Sequence, residues 1–145
     1  MQDPTAVKAK VGASGGALTW TFTDRGENLR RINPTGHDAC SYFFPDMQHL
    51  VFTSSRDNLD LTRGNWSDPR DYPIGSELYL ADIDGKNVKR LSRTKVYDAE
   101  ISVSPDGTKL AFARSLGKRF MSDNFVHIMD ISSLGIGPVR RTGPP

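Results

Sequence analysis

The phrase Tyr97 to Ala113, YDAEISVSPDGTKLAFA, restates the phrase His37 to Thr53, HDACSYFFPDMQHLVFT, about sixty residues earlier in the chain. Asp98-Ala99 answers Asp38-Ala39, Pro105-Asp106 answers Pro45-Asp46, and Leu110 and Phe112 answer Leu50 and Phe52. Each copy reads as a short strand, a tight turn and a second strand. In the later copy Pro105 presets φ at the first corner, Asp106 bonds its own backbone, and Gly107 accepts the positive φ that closes the hairpin. The earlier copy has Met47-Gln48 where the turn glycine belongs, so that hairpin must use another turn or carry strain. A repeat at this period constrains the fold more than any local propensity does.

A second pattern recurs beside the first. Leu18 to Thr23 alternates, with Leu18, Trp20 and Phe22 on one face, which reads as a half-buried strand. A turn at 24–27 leads to a short strand, Asn28 to Ile32. Gly26-Glu27-Asn28-Leu29-Arg30-Arg31-Ile32 aligns with Gly85-Lys86-Asn87-Val88-Lys89-Arg90-Leu91. A third version runs from Phe125 to Thr142 and ends in Val139-Arg140-Arg141. The repeating unit is therefore four short strands. Residues 18–36 read as the outer half of one unit, 37–92 as a full unit and 93–145 as another. Residues 1–17, small, polar and Gly-rich, read as a flexible lead-in with room for some extended structure. Four antiparallel strands repeated at this period describe β-propeller blades, each of which must stack on neighbours to bury its apolar faces.

With 37% hydrophobic and 25% charged residues, the composition is that of a globular chain. A net charge of +2 with scattered basic residues gives no footprint for nucleic acid. No apolar run approaches membrane-spanning length, so no membrane insertion is expected. Cys40 is the only cysteine, which excludes an internal disulfide and a thiolate metal cage. It reads as a small buried residue on a strand.

The second unit carries a long insertion, residues 54–76, whose Gly64, Pro69, Pro73 and Gly75 make it a loop. Trp66 and Tyr72 are expected to pack it on itself. Asp57, Asp60, Asp68 and Asp71 place four carboxylates in this loop. They are a candidate site for Ca²⁺, although their spacing is not that of an EF-hand and Arg56, Arg63 and Arg70 are interleaved to neutralise them. No Gly-x-Ser-x-Gly elbow is present. His37 and Cys40 fall on opposite faces of an extended segment, and His127 faces away from Val126 and Ile128. No catalytic residue is assigned. The basic pairs Arg30-Arg31, Lys89-Arg90 and Arg140-Arg141 align on outermost strands, where they either meet an acidic surface or guard strand edges.

Ser104-Pro105-Asp106-Gly107 with Leu110-Ala111-Phe112, followed by a strand like Leu78 to Gly85 and by Lys89-Arg90-Leu91-Ser92, resembles the TolB-like β-propeller repeat. Related blades occur in the propellers of prolyl-oligopeptidase-type and tricorn-type peptidases. The resemblance covers residues 18–142. It implies an all-β propeller of about six blades, of which this chain holds about two and a half: either a fragment, or a chain that completes a ring as a homo-oligomer. It implies a non-catalytic scaffold that binds a protein partner, with a periplasmic or other extracytoplasmic location; the residues themselves, which show no apolar signal core, leave a cytoplasmic location open. The alternative is the propeller portion of a serine peptidase. Asp38 and Asp98, just before the innermost strands, are then expected near the mouth of the central channel with His37, Tyr97 and Glu100. There they either face a ligand or tie a turn to the neighbouring blade.

Overall fold

The computed structural model describes residues 6–11, 17–61, 68, 74–116 and 124–136. The described residues are all-β, in three antiparallel sheets. β1 (Ala6–Val11), β2 (Ala17–Phe22) and β3 (Arg30–Arg31) form the first, in chain order. β4 (Asp38–Phe43), β5 (His49–Ser54), β6 (Glu77–Asp82) and β7 (Lys89–Arg90) form the second, also in chain order. β8 (Tyr97–Val103), β9 (Lys109–Ser115) and β10 (Asn124–Asp130) form the third. A fourth strand at Val139 to Arg141 lies outside the described residues. Within residues 1–17, expected to hold some extended structure, one strand is described. Ala6–Val11 pairs along its whole length with Ala17–Phe22 and adds a strand inside the outer half of the first unit.

The repeat is visible in individual bonds. Gly26 N–H donates to Thr23 O at 2.8 Å, and Gly85 N–H donates to Asp82 O at 2.9 Å. Ile32 N–H donates to Thr19 O, as Leu91 N–H does to Leu78 O. Asn28 and Asn87 both take positive φ, 55° and 50°, at matching places. The two Pro-Asp hairpins share one turn. Met47 N–H donates to Phe44 O, and Gly107 N–H to Ser104 O. Asp106 Oδ1 accepts the Ser104 hydroxyl at 2.6 Å and the Thr108 N–H at 3.0 Å. These donors pull its carboxyl down to about 2.

Met47 accepts the strain that its position demands. Its φ is 56°, against 70° at Gly107. A side chain in this region costs about 1–2 kcal/mol, and glycine returns part of that in chain entropy, about 0.5–1 kcal/mol. Met47→Gly is therefore expected to stabilise the protein by about 0.5–1 kcal/mol, read as a higher urea midpoint. A lower midpoint would mean that Met47's side-chain contacts outweigh the strain.

Sheets pack face to face through alternating residues. One core joins the second and third sheets: Val51, Leu78 and Leu80 meet Ile101, Val103, Leu110 and Phe112. A second core joins Ile32, at the end of the first sheet, to Leu50, Phe52, Tyr79 and Ala81 of the second. Gly85 sits so close to the first sheet that a Cβ there would lie 2.8 Å from the Ile32 carbonyl. This packing makes β4 and β8 neighbours across the second and third sheets, and it brings their hairpins together.

Candidate functional site

The innermost strands carry matching irregularities. Register shifts between Ala39 and Tyr42 in β4 and between Ala99 and Ser102 in β8. Each is a bulge, with one residue in the left-handed region: Cys40 at φ 48° and Glu100 at φ 53°. The two bulges face each other, and the Cys40 thiol donates to Glu100 Oε1 at 3.6 Å. Cys40 is thus half-buried at a bulge and not a core residue on a strand face. Burial first, and the Glu100 charge next, push its thiol up, so it stays protonated and poorly nucleophilic at neutral pH.

Asp38 and Asp98 occupy the same place in two sheets but are held differently. Both are fully buried. Asp98 is paired across the strand to Arg114, whose guanidinium donates to Oδ1 at 2.7 Å and Oδ2 at 2.9 Å. Thr94 Oγ1 donates to Oδ2 at 3.2 Å. The Asp98 N–H reaches back to Ser76 O at 2.8 Å. In the second sheet Ser54 stands where Arg114 would be, and Asp38 turns to the preceding sheet instead. Its Oδ2 accepts the Thr19 N–H at 3.0 Å, and Oδ1 accepts the Asn33 side-chain amide. The Asp38 carboxylate ties the second sheet to the first. The Asp98 carboxylate is held by Arg114 within its own sheet. Only the Asp98 backbone reaches the second sheet, where its carbonyl accepts the Thr53 hydroxyl at 2.9 Å. Both side chains are buried. Tyr97 is likewise buried. His37 is half-buried, with its N–H on Ser55 Oγ at 3.0 Å. Of the five residues expected at the mouth, Glu100 is exposed.

Burial pushes the Asp38 carboxyl above the usual carboxylate range, against the donors from Thr19, Ser54 and Asn33. A raised folded pKa means that the fold favours the protonated form. The associated stability is complete below the usual carboxylate range and is lost as pH rises through the folded value. Melting temperature of the wild type relative to Asp38→Asn is therefore expected to fall as pH rises from about 3.5 to 7. A flat difference across that range would remove the burial effect.

The loop carboxylates are dispersed. Asp57 Oδ2 accepts the Tyr79 hydroxyl at 2.9 Å and lies 3.5 Å from Arg90 Nη1. Asp60 is exposed and Asp68 half-buried, while Asp71 lies outside the described residues. Among the described residues no three His, Cys, Asp or Glu side chains are grouped to hold a metal ion. The loop's stems are pinned: Asn58, buried, donates its side-chain amide to Gly75 O at 2.8 Å. Trp66 and Tyr72 lie outside the described residues. Of the basic pairs, Arg30-Arg31 is exposed. Arg90 lies against the buried Glu77 carboxylate. Arg140-Arg141 lies outside the described residues.

One open groove of ≈ 490 Å³ lies between the two hairpins. Tyr42, Phe43, Phe44 and Met47 wall one side, and Val103 and Pro105 the other. Tyr42 is 47% exposed and stands at its edge. The sequence held a signal for this groove, the apolar residues just before each Pro-Asp, but only the stacking of the two hairpins turns them into one surface.

No family model and no curated protein sequence matches this chain. Solved structures do. A putative TolB from Agrobacterium tumefaciens matches with a TM-score of 0.65 at 16% identity, over 86% of this chain and 41% of that one. TolB from Acinetobacter baumannii matches with a TM-score of 0.59 at 19% identity, over 88% of this chain and 27% of that one. The chain has the fold of part of a TolB-like β-propeller, and it spans less than half the length of the structures it matches.

Proposed function

We propose that this chain is a non-catalytic propeller segment that works as a protein–protein interaction scaffold, outside the cytoplasm and associated with the cell envelope. The observation that carries the reading is the groove between the Pro-Asp hairpins. Its walls are apolar and aromatic, and its ≈ 490 Å³ falls within the range of ligand-binding clefts. It suits an extended peptide bearing apolar side chains, because alternate residues of such a peptide can seat between Tyr42 and Pro105 while its backbone stays in water. The raised thiol of Cys40 and the buried, structural roles of Asp38 and Asp98 support a binding role over a chemical one. The likeness to TolB structures supports the envelope location.

Selection of displayed peptides on the purified chain tests this. Selected sequences are expected to converge on an apolar consensus and to lose at least tenfold in affinity for Tyr42→Asp. Absence of convergence, or binding that ignores Tyr42→Asp, would refute the groove as the working surface.

A further inference from the structure

Among the described residues, no charged side chain lines the groove between the Pro-Asp hairpins. Carboxylates stand at its two ends. Ser41 marks the inner end, and the facing bulges of Cys40 and Glu100 follow directly from it. Pro105 marks the outer end, and Asp106 follows it in the turn. Glu100 and Asp106 are both exposed, and both belong to the third sheet and its hairpin. One wall of the groove is therefore edged with acid, while the other is built from Tyr42, Phe43, Phe44 and Met47.

Glu100 is held in the left-handed region, at φ 53°, where glycine or asparagine would sit with less strain. Strain of this kind gathers at ligand clamps. Among the described residues its carboxylate has one side-chain partner, the Cys40 thiol at 3.6 Å, and a thiol is a weak donor. At the outer end Asp106 spends Oδ1 on its own turn, accepting from Ser104 and Thr108. Those donors hold its carboxyl at about 2, so it is an anion at any working pH. Lys109, the cation beside it, is shared with Asp130. Asp46, its counterpart in the other hairpin, is by contrast taken up inside the fold. The Asp46 carboxylate accepts the Gln48 and His49 N–H groups and lies 2.5 Å from His49 Nδ1. Across the groove Tyr42, 47% exposed, offers a ring face of the kind that attracts a cation.

We propose, on the footing that the groove is the binding surface, that its occupant is a basic peptide: an extended segment whose apolar side chains fill the groove and whose Lys or Arg side chain pairs with Glu100. Asp106 accommodates a second basic residue at the outer end. Extended chain rises about 3.3 Å per residue, so the two carboxylates are separated by about four to six residues of such a peptide. The acidic ends also turn away Asp- and Glu-bearing segments, a discrimination that apolar walls alone do not supply.

A random displayed-peptide library, selected on the purified wild-type chain, is expected to yield Lys or Arg beside the apolar consensus and to be depleted of Asp and Glu. A synthetic consensus peptide is then compared, by fluorescence anisotropy, with the same peptide carrying glutamine for its basic residue. The wild type is expected to bind the basic form about two- to fivefold more tightly, and to lose the difference at about 0.5 M salt. Glu100→Gln, which keeps the side-chain shape at the bulge, is expected to bind both forms equally with an unchanged circular dichroism spectrum. An apolar consensus without basic residues overturns the proposal and leaves the groove as the binding surface. So does a preference for the basic form that survives in folded Glu100→Gln. Binding that ignores Tyr42→Asp overturns the groove as the binding surface, and this proposal with it. The library result on the wild type stands by itself if Glu100→Gln does not fold.

Discussion

Arg114→Met is expected to destabilise the protein by about 3–5 kcal/mol, the loss seen when a buried ion pair is stripped of one partner. That is a large share of the roughly 5–15 kcal/mol that holds a domain together. The reason lies in Asp98. Its carboxylate is fully buried, and Arg114 engages both oxygens, at 2.7 and 2.9 Å. The Arg114 side chain is only 19% exposed, and its guanidinium carbon sits 5.3 Å from the centre of the Phe112 ring. Methionine keeps the bulk over Phe112 but leaves the buried Asp98 carboxylate with Thr94 as its remaining side-chain donor. Asp98→Asn added to Arg114→Met is expected to recover part of the loss, because the uncompensated charge is gone. Urea unfolding followed by circular dichroism measures both. A cost under about 1 kcal/mol for Arg114→Met would show that water already shields the pair.

The repeat explains which parts of the fold were legible. Pro45-Asp46 and Pro105-Asp106 located both hairpins, and the alternation of Leu18, Trp20 and Phe22 placed a strand correctly. The matching Gly26 and Gly85 marked the turns between the third and fourth strands. Ala6–Val11 was legible only as part of a lead-in with some extended structure, because nothing in its own pattern distinguishes a strand from an extended segment. It is a strand because β2 offers it a paired edge, which is a tertiary fact. The bulges at Cys40 and Glu100 were also hidden. Neither residue is one that favours positive φ, so no local signal marked the loss of alternation there. The site reading left two roles open for Asp38 and Asp98, facing a ligand or tying a turn to the neighbouring blade, and the sequence could not separate them. Equal position in the repeat suggested equal roles for Asp38 and Asp98, and proximity to the innermost strand suggested exposure. Only packing shows that Asp98 answers Arg114 while Asp38 answers Thr19 and Asn33, and that both are buried. Whether a repeated carboxylate ties sheets together or faces solvent is decided by the residue across the strand and by the neighbouring sheet, neither of which lies next to it in sequence.

Phe52→Ala is expected to cost about 3–5 kcal/mol, as truncation of a buried aromatic does when its surroundings cannot collapse. Phe52 is fully buried and stacks on Tyr79 at 5.9 Å between centroids. The Arg56 guanidinium carbon lies 5.1 Å from the centre of each ring. Arg56 Nε and Nη2 are buried and have no hydrogen-bond partner among the described residues, and burial lowers the pKa of the guanidinium. The two ring faces add to the charge of nearby Asp38 in compensating that buried cation, and are worth about 0.5–2 kcal/mol by cation–π attraction. Phe52→Leu restores most of the volume but not the ring, so its cost should be smaller. A cycle of Phe52→Leu with Arg56→Met should show coupling of about 0.5–2 kcal/mol. Phe52 also belongs to the core that Ile32 brings from the first sheet. Loss of the ring should therefore loosen the first sheet before the third, whose core is built separately from Val51, Leu110 and Phe112. Hydrogen exchange of the alanine variant is expected to show lower protection in Ala17–Phe22 than in Lys109–Ser115. Equal loss in both strands would mean that the three sheets unfold as one unit, and that the two cores are not separable steps in holding the blades together.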